Sequence, residues 1–355
     1  MSDPGQTVQS DFARAATGPL PAVPISSLPD FRFGRRIGAG GMGVVVMGER
    51  ISDGRPVAIK LLRADLVDDP EFRERFRREV AVMRAVEHPN VVGILDAGEH
   101  QGWLYLATEL MRDGDLAAYQ RRRGSLLAKD ALTMAIKIGR GLAAIHRAGL
   151  IHRDVKPQNV FLDHRAADGG DVKVGDLGMA RSASGDDRMT MTGAACGTPT
   201  YMAPEQVRGL TDLDGRVDVY ALGTLLWTLL AGREPFIGDT VFVVTEAVLN
   251  QPAPDLARFA TGMPSGTVEV VRKAMAKDRA QRYATMDELV TDLERLIAGE
   301  RPVQAGVVAA PPPVTAAPAM PKAAARIAGG GGGGIGLGGG GLRLTLQALA
   351  VLVLL

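Results

Sequence analysis

The stretch IGAGGMGVVV, Ile37 to Val46, restricts the fold more than any other part of the chain. Gly38, Gly40 and Gly43 form a Gly-x-Gly-x-x-Gly, a spacing that lets backbone amides approach phosphate oxygens. In a dinucleotide-binding unit such glycines follow a strand and open a helix. Here Gly43 is followed by Val44, Val45 and Val46, whose branched side chains suit a strand, then by the turn signal Ser52-Asp53-Gly54 and by PVAIKLL. That order predicts a strand–loop–strand hairpin and sets the dinucleotide reading aside.

The same regime continues to residue 110, with VVGILDAG and WLYLATEL as further short strands. One helix interrupts it. Asp69-Pro70 reads as a cap followed by proline at the first helical position, and EFRERFRREVAVMRAVE runs from there to His88-Pro89. Phe72, Phe76, Val80 and Met83 recur every three or four residues and predict one buried stripe. Beyond residue 115 the pattern is mainly helical. VDVYALGTLLWTLLAG, Val217 to Gly232, is apolar nearly all round yet too short to cross a bilayer, so it reads as a buried core helix. The fold class expected is α+β and bilobal. A small antiparallel β-sheet lobe with one helix (31–110) precedes a larger, mainly α-helical lobe (111–299).

Composition marks the flanks. Residues 1–30, rich in Pro, Ala, Ser and Thr, read as a flexible leader without the apolar core of a secretory signal, which places the catalytic part in the cytoplasm. Residues 300–341 read as a Pro/Ala/Gly-rich linker. Residues 342–355 end in LTLQALAVLVLL, whose twelve helical residues would rise only ~18 Å against the ~30 Å hydrocarbon core. A shortened inner-membrane anchor, an interfacial tail and a terminus without function are the readings open there. With 41 basic against 40 acidic residues, no charge excess points to nucleic acid. The one cysteine, Cys196, excludes an internal disulfide framework and reads as an ordinary loop thiol.

Groups suited to phosphate chemistry follow the glycines. Lys60 lies inside the apolar run Val57-Ala58-Ile59, where an unpaired ammonium is costly and needs an anion. Glu79, beside the helix stripe, is the partner expected. IHRDVKPQNVFL, Ile151 to Leu162, puts Asp154, Lys156 and Asn159 between apolar flanks. Asp154 can accept a hydroxyl proton, Lys156 can neutralise a transferring phosphate, and Asn159 can offer a carbonyl oxygen to a metal. Asp176, after the short run VKVG, supplies a second hard oxygen, a set that suits Mg²⁺ with substrate phosphates.

GAGGMGVV, VAIK, HRDVKPQN, DLG and GTPTYMAPE stand in the order and approximate spacing of the eukaryotic-like protein kinases, and the whole most resembles their bacterial Ser/Thr (Hanks-type) branch. The resemblance implies transfer of the γ-phosphoryl of ATP, with Mg²⁺ or Mn²⁺, to protein Ser/Thr hydroxyls. It implies Lys60 and Glu79 as an ion pair, Asp154 as catalytic base assisted by Lys156, and Asn159 with Asp176 as metal ligands. The loop Ile37, Gly38, Ala39, Gly40, Gly41, Met42 and Gly43 would cover the phosphates, so that bulky replacement of Gly40 or Gly43 impairs transfer more than folding. Val45 and Ala58 would line the adenine site, Glu109 to Met111 would meet adenine through their backbone, and Asp115 would contact the ribose. Glu205 with Arg282, and Asp218, match architectural positions, and His152 is expected to pack structurally. One departure is Leu177 where the family usually has Phe. Thr190 and Thr192 are the expected autophosphorylation sites, facing Arg153, and a homodimer would serve that reaction; Thr198 is expected in the substrate-facing loop. The alternative is a catalytically weak pseudokinase acting as a nucleotide-binding interaction module, against which the retained set Lys60, Asp154, Asn159 and Asp176 speaks.

Overall fold

The computed structural model describes residues 27–40, 43–62, 70–164, 171–176 and 199–305. The chain divides into units Met1–Ala310 and Pro311–Leu355, and all described residues belong to the first. The hairpin expected from the glycine stretch is present: β2 (Phe31–Gly40) pairs antiparallel with β3 (Gly43–Arg50), and β3 with β4 (Pro56–Leu62). A two-residue strand, β1 (Ser27–Leu28), precedes them and pairs with β2. The expected leader 1–30 is corrected at this end, because Leu28 is buried and packs in one cluster with Phe31 and Val46.

Along β4, Val57, Ile59 and Leu61 are buried while Ala58 and Lys60 lie on the opposite, half-buried face, as the two-residue strand period dictates. Lys60 therefore leaves the apolar run that surrounds it in sequence. Val45 is its cross-strand neighbour on β3. Gly43 has φ +155°, and a Cβ there would lie 1.9 Å from the Leu61 carbonyl oxygen. Only glycine fits this approach of β3 to β4. The expectation that Gly43 matters more for transfer than for folding is corrected accordingly.

Helix α1 (Pro70–Arg84) starts at Pro70 as expected and stops four residues before His88. Its stripe of Phe72, Phe76, Val80 and Met83 is buried against Leu62, Leu104 and Leu106. Strands β5 (Ile94–His100) and β6 (Trp103–Glu109) complete a six-stranded sheet in the order β1-β2-β3-β4-β6-β5.

The second lobe holds α2 (Leu116–Arg123), α3 (Ala128–Arg147), the small antiparallel pair β7 (Val160–Leu162) and β8 (Val172–Val174), and α4 (Pro204–Val207). It continues with α5 (Arg216–Ala231), α6 (Val241–Asn250), α7 (Thr267–Ala274) and α8 (Met286–Ile297). Every residue of α5 from Val217 to Leu230 is buried, as expected of a helix apolar on all sides. The Glu205–Arg282 pair forms as the resemblance implied, with Arg282 Nη1 and Nη2 donating to Glu205 Oε1 and Oε2 at 2.6 and 2.7 Å. Removing one partner of so buried a pair costs about 3–5 kcal/mol.

The domain does not end at Gly299. The backbone N–H groups of Val303, Gln304 and Ala305 donate to the buried Asp292 carboxylate at 2.7, 3.0 and 2.9 Å, joined by the Tyr283 hydroxyl at 3.0 Å. The expected linker boundary at residue 300 is thus corrected to beyond Ala305, a shift that composition could not show because a single buried carboxylate causes it.

Candidate active site

The loop from His152 to Asn159 owes its shape to one carboxylate. Asp218, 1% exposed near the start of α5, accepts from the backbone N–H groups of His152 and Arg153, both at 2.9 Å. His146 of α3 lies 2.7 Å from the same carboxylate. These bonds hold Arg153 at φ +65°, a left-handed conformation that costs on the order of 1–3 kcal/mol for a residue with a side chain. Gln206 of α4 adds a bond from its amide to the Arg153 carbonyl at 2.8 Å. Asp218 thus anchors the loop from the core helix.

His152 carries the order onward. It is fully buried, its Nε2 lies 3.0 Å from the Gly175 carbonyl and its Nδ1 lies 3.3 Å from the Asp154 backbone N. Both bonds together require the neutral ring with the proton on Nε2, since Nδ1 accepts. One imidazole therefore couples the backbone before Asp154 to the backbone before Asp176.

Asp154, Lys156 and Asn159 come together as expected. Lys156 Nζ donates to Asp154 Oδ2 at 2.8 Å. Asn159 Nδ2 donates to the Asp154 carbonyl at 2.7 Å and to its Oδ2 at 2.9 Å. Asp154 Oδ1 is left as the acceptor end of this carboxylate.

Lys60 makes a different ion pair from the one expected. Its Nζ lies 2.8 Å from Asp176 Oδ1, and no ion pair joins it to Glu79. Glu79 sits half-buried at the edge of the α1 stripe, while Asp176 comes within direct contact of Lys60 from the other lobe. The nearer carboxylate neutralises the ammonium. Asp176 also holds φ +52°, a strained backbone at a residue assigned to chemistry.

A cavity of about 290 Å³ opens between the sheet and this loop. Of the residues expected at ATP, Ile37, Gly38, Val45, Ala58, Lys60, Glu109 and Met111 line it, as does Asp176. Ala39, Gly40 and Gly43 are outside its lining, and Gly41 and Met42 are outside the described residues. Asp115 is outside the lining of the cavity, and its Oδ1 caps α2 by accepting from Ala118 N at 2.6 Å. Leu110, within the expected Glu109–Met111 segment, lines it too, and sequence reasoning missed Thr108, Gln158 and Phe161, which also line it. Thr108 shares the strand face of Leu106, two residues earlier, which also lines the cavity, whereas Phe161 is brought in by the β7–β8 pairing. Thr190, Thr192, Cys196, Thr198, Leu177 and Gly178 lie outside the described residues.

The donor set fits a hard divalent ion. Asn159 spends its amide N–H groups on Asp154, which leaves Oδ1 as its free acceptor, and Asp176 contributes a carboxylate. Among the described residues no cluster of three or more His, Cys, Asp or Glu could hold a metal alone. Mg²⁺ does not need one, since it takes one or two protein oxygens and completes its shell with water and phosphate.

A two-lobed fold with this cavity and this loop defines a protein-kinase-like molecule. The family model of the protein kinase domain matches residues 31–292, and the chain belongs to that family. It is 36% identical to the serine/threonine-protein kinase PrkC of Bacillus subtilis over 267 residues, covering 75% of this chain and 40% of the relative. It is 38% identical to the serine/threonine-protein kinase PknB of Mycobacterium tuberculosis over 278 residues, covering 77% and 44%. The chain thus spans less than half the length of these curated relatives. The crystal structure of the Mycobacterium tuberculosis PknI kinase domain superposes with a TM-score of 0.60 at 26% identity, covering 77% of this chain and 98% of that one.

Proposed function

We propose that the chain is an active serine/threonine protein kinase that transfers the γ-phosphoryl of ATP, with Mg²⁺ or Mn²⁺, to protein hydroxyls. The observation that carries this reading is the Asp154 carboxylate, oriented by Lys156 and Asn159 and tied through His152 to Gly175 at the cavity floor. In that reaction Asp154 accepts the proton of the attacking hydroxyl, and Lys156 balances charge on the phosphoryl in transit. Lys60 binds phosphate oxygens of ATP within the cavity. The residues suited to a metal are Asn159 and Asp176, and Mg²⁺ bound there would neutralise phosphate charge. The retention of Lys60, Asp154, Asn159 and Asp176 disfavours the pseudokinase reading.

The test is autophosphorylation with radiolabelled ATP, comparing wild type and Asp154→Asn. Loss of label by at least about a hundredfold is expected, the usual contribution of a positioned base. Label that persists unchanged in the variant refutes the assignment. Regulation by autophosphorylation at Thr190 or Thr192 belongs to the same proposal, as does a homodimer that would serve it; phosphosite mapping of the active enzyme checks the former. Membrane association through 342–355 rests on its apolar composition alone. No helix of the described residues is long and apolar enough to cross a membrane.

A further inference from the structure

Lys173 takes no part in the chemistry above, yet it is 6% exposed and charged. Its Nζ donates to both carboxylate oxygens of Glu109, at 2.9 and 3.0 Å. Glu109 is fixed further by Gly93, whose N–H donates to Glu109 Oε1 at 2.7 Å and whose carbonyl accepts from the Glu109 N–H at 3.0 Å. Lys173 is buried and Glu109 half-buried, and Arg55 Nη2 stands farther off at 4.0 Å from Glu109 Oε2, so the short bonds from Lys173 and Gly93 are what hold the carboxylate.

Glu109 lines the cavity, whereas Lys173 lies behind its lining, on the strand that leads to Gly175 and Asp176. Glu109 ends β6 and lines the cavity on the side of the segment that joins the lobes. Lys173 lies on β8, whose next residues lead to Gly175 and Asp176 on the cavity floor. Strand β8 is itself tied to the first lobe, with Val92 N bonded to Val174 O at 2.8 Å and Asn90 Nδ2 to Val172 O at 2.8 Å. The Lys173–Glu109 pair is the side-chain tie that sets the wall at Glu109 against the floor at Asp176.

We propose that Lys173 is a positioning residue for ATP: through Glu109 it holds the spacing between the lobe connection and the strand that carries Asp176. This rests on the reading of the cavity as the ATP site. A preset spacing spares nucleotide binding the entropy of ordering two segments. The pair acts on ATP and not on the acceptor protein, because neither residue belongs to the Asp154 loop.

The test compares wild type, Lys173→Met, Lys173→Arg and the apolar pair Glu109→Leu/Lys173→Met. The readouts are the Kd for the ATP analogue AMP-PNP with Mg²⁺, KM for ATP, KM for myelin basic protein as acceptor, and the melting temperature. In Lys173→Met, Kd for the analogue and KM for ATP should rise about five- to twentyfold with KM for the acceptor unchanged. Lys173→Arg, whose fork can meet both oxygens, should recover most of the loss. The apolar pair removes the buried charges together and guards against a variant that does not fold; it should keep the ATP defect. An unchanged or lowered KM for ATP in Lys173→Met, a parallel rise for the acceptor, or wild-type ATP affinity in the apolar pair overturns the inference. A wild-type protein that neither binds the analogue nor transfers phosphate overturns the proposed function instead, and this inference with it.

Discussion

Lys60 stands before a choice of two carboxylates, and the structure records one of them. While Asp176 Oδ1 sits 2.8 Å from the ammonium, that oxygen is spent on Lys60 and Lys60 is spent on it. Phosphotransfer asks for both groups elsewhere, Lys60 at phosphate and Asp176 at a metal. With Asp176 released, a carboxylate beside Lys60 would keep the ammonium aimed at phosphate, and Glu79, half-buried on α1, is the one the kinase resemblance assigns to it. Glu79→Gln should therefore lower kcat/KM for ATP at least about tenfold. Its melting temperature should stay within about 2 °C of wild type, because a half-buried carboxylate that makes no ion pair with Lys60 contributes little to the resting fold. A large fall in melting temperature, or unchanged kinetics, would remove Glu79 from the mechanism. Gly43 behaves in the opposite way. A Cβ placed 1.9 Å from the Leu61 carbonyl forces β3 away from β4, so Gly43→Ala should cost about 2 kcal/mol or more of stability, read by denaturant unfolding.

At the scale of elements, the C-terminal end of α6 shows how a buried charge can lack a carboxylate. Lys277 Nζ donates to the Val248 carbonyl at 2.6 Å and lies 4.2 Å from the centre of the Phe236 ring. Backbone carbonyls at a helix end attract a cation. Burial still draws the Lys277 ammonium down to about 7, with Arg282 and Arg208 adding repulsion. Because the folded value lies below the unfolded one, the unfolded chain holds more protons above pH 7. The penalty for keeping the ammonium buried is therefore full below pH 7 and is relieved as pH rises toward the unfolded value. Lys277→Met lacks this term. Relative to the variant, wild type should gain on the order of 2 kcal/mol between pH 7 and pH 9, measured as the difference of two unfolding free energies at each pH. A constant difference would place Lys277 in a more solvated setting. No local pattern in MAKDRAQRY marks this lysine as buried, since its surroundings come from α6 and Phe236, distant in sequence.

Across the whole molecule, what was legible in the sequence was whatever a short period or a cluster of polar residues in apolar context encodes. The hairpin, the α1 stripe, the wholly buried α5 and the Asp154–Lys156–Asn159 loop all fall in that class. What was illegible was the choice among partners far apart in the chain: Asp176 over Glu79 for Lys60, and Glu109 for Lys173. Such choices follow from how lobes and layers approach, which spacing does not specify. The end of the domain is a further case. The family pattern stops at residue 292, but the fold continues to the N–H groups of Val303, Gln304 and Ala305 that close on Asp292. Asp292 is fully buried, so its charge is tolerable only with those donors and the Tyr283 hydroxyl in place. The short segment after α8 is therefore part of what keeps α8 and α7 together, with Lys273 of α7 bonded to the Gln304 carbonyl. In the full chain, Asp292→Asn sets an amide N–H group against these donors and should cost about 2–3 kcal/mol. At ~2–4 °C per kcal/mol for a domain of this size, the melting temperature should fall by roughly 5–10 °C. Phosphotransfer per folded molecule should not change, because the clasp is remote from the cavity. A variant that melts with wild type would return residues 301–305 to the linker.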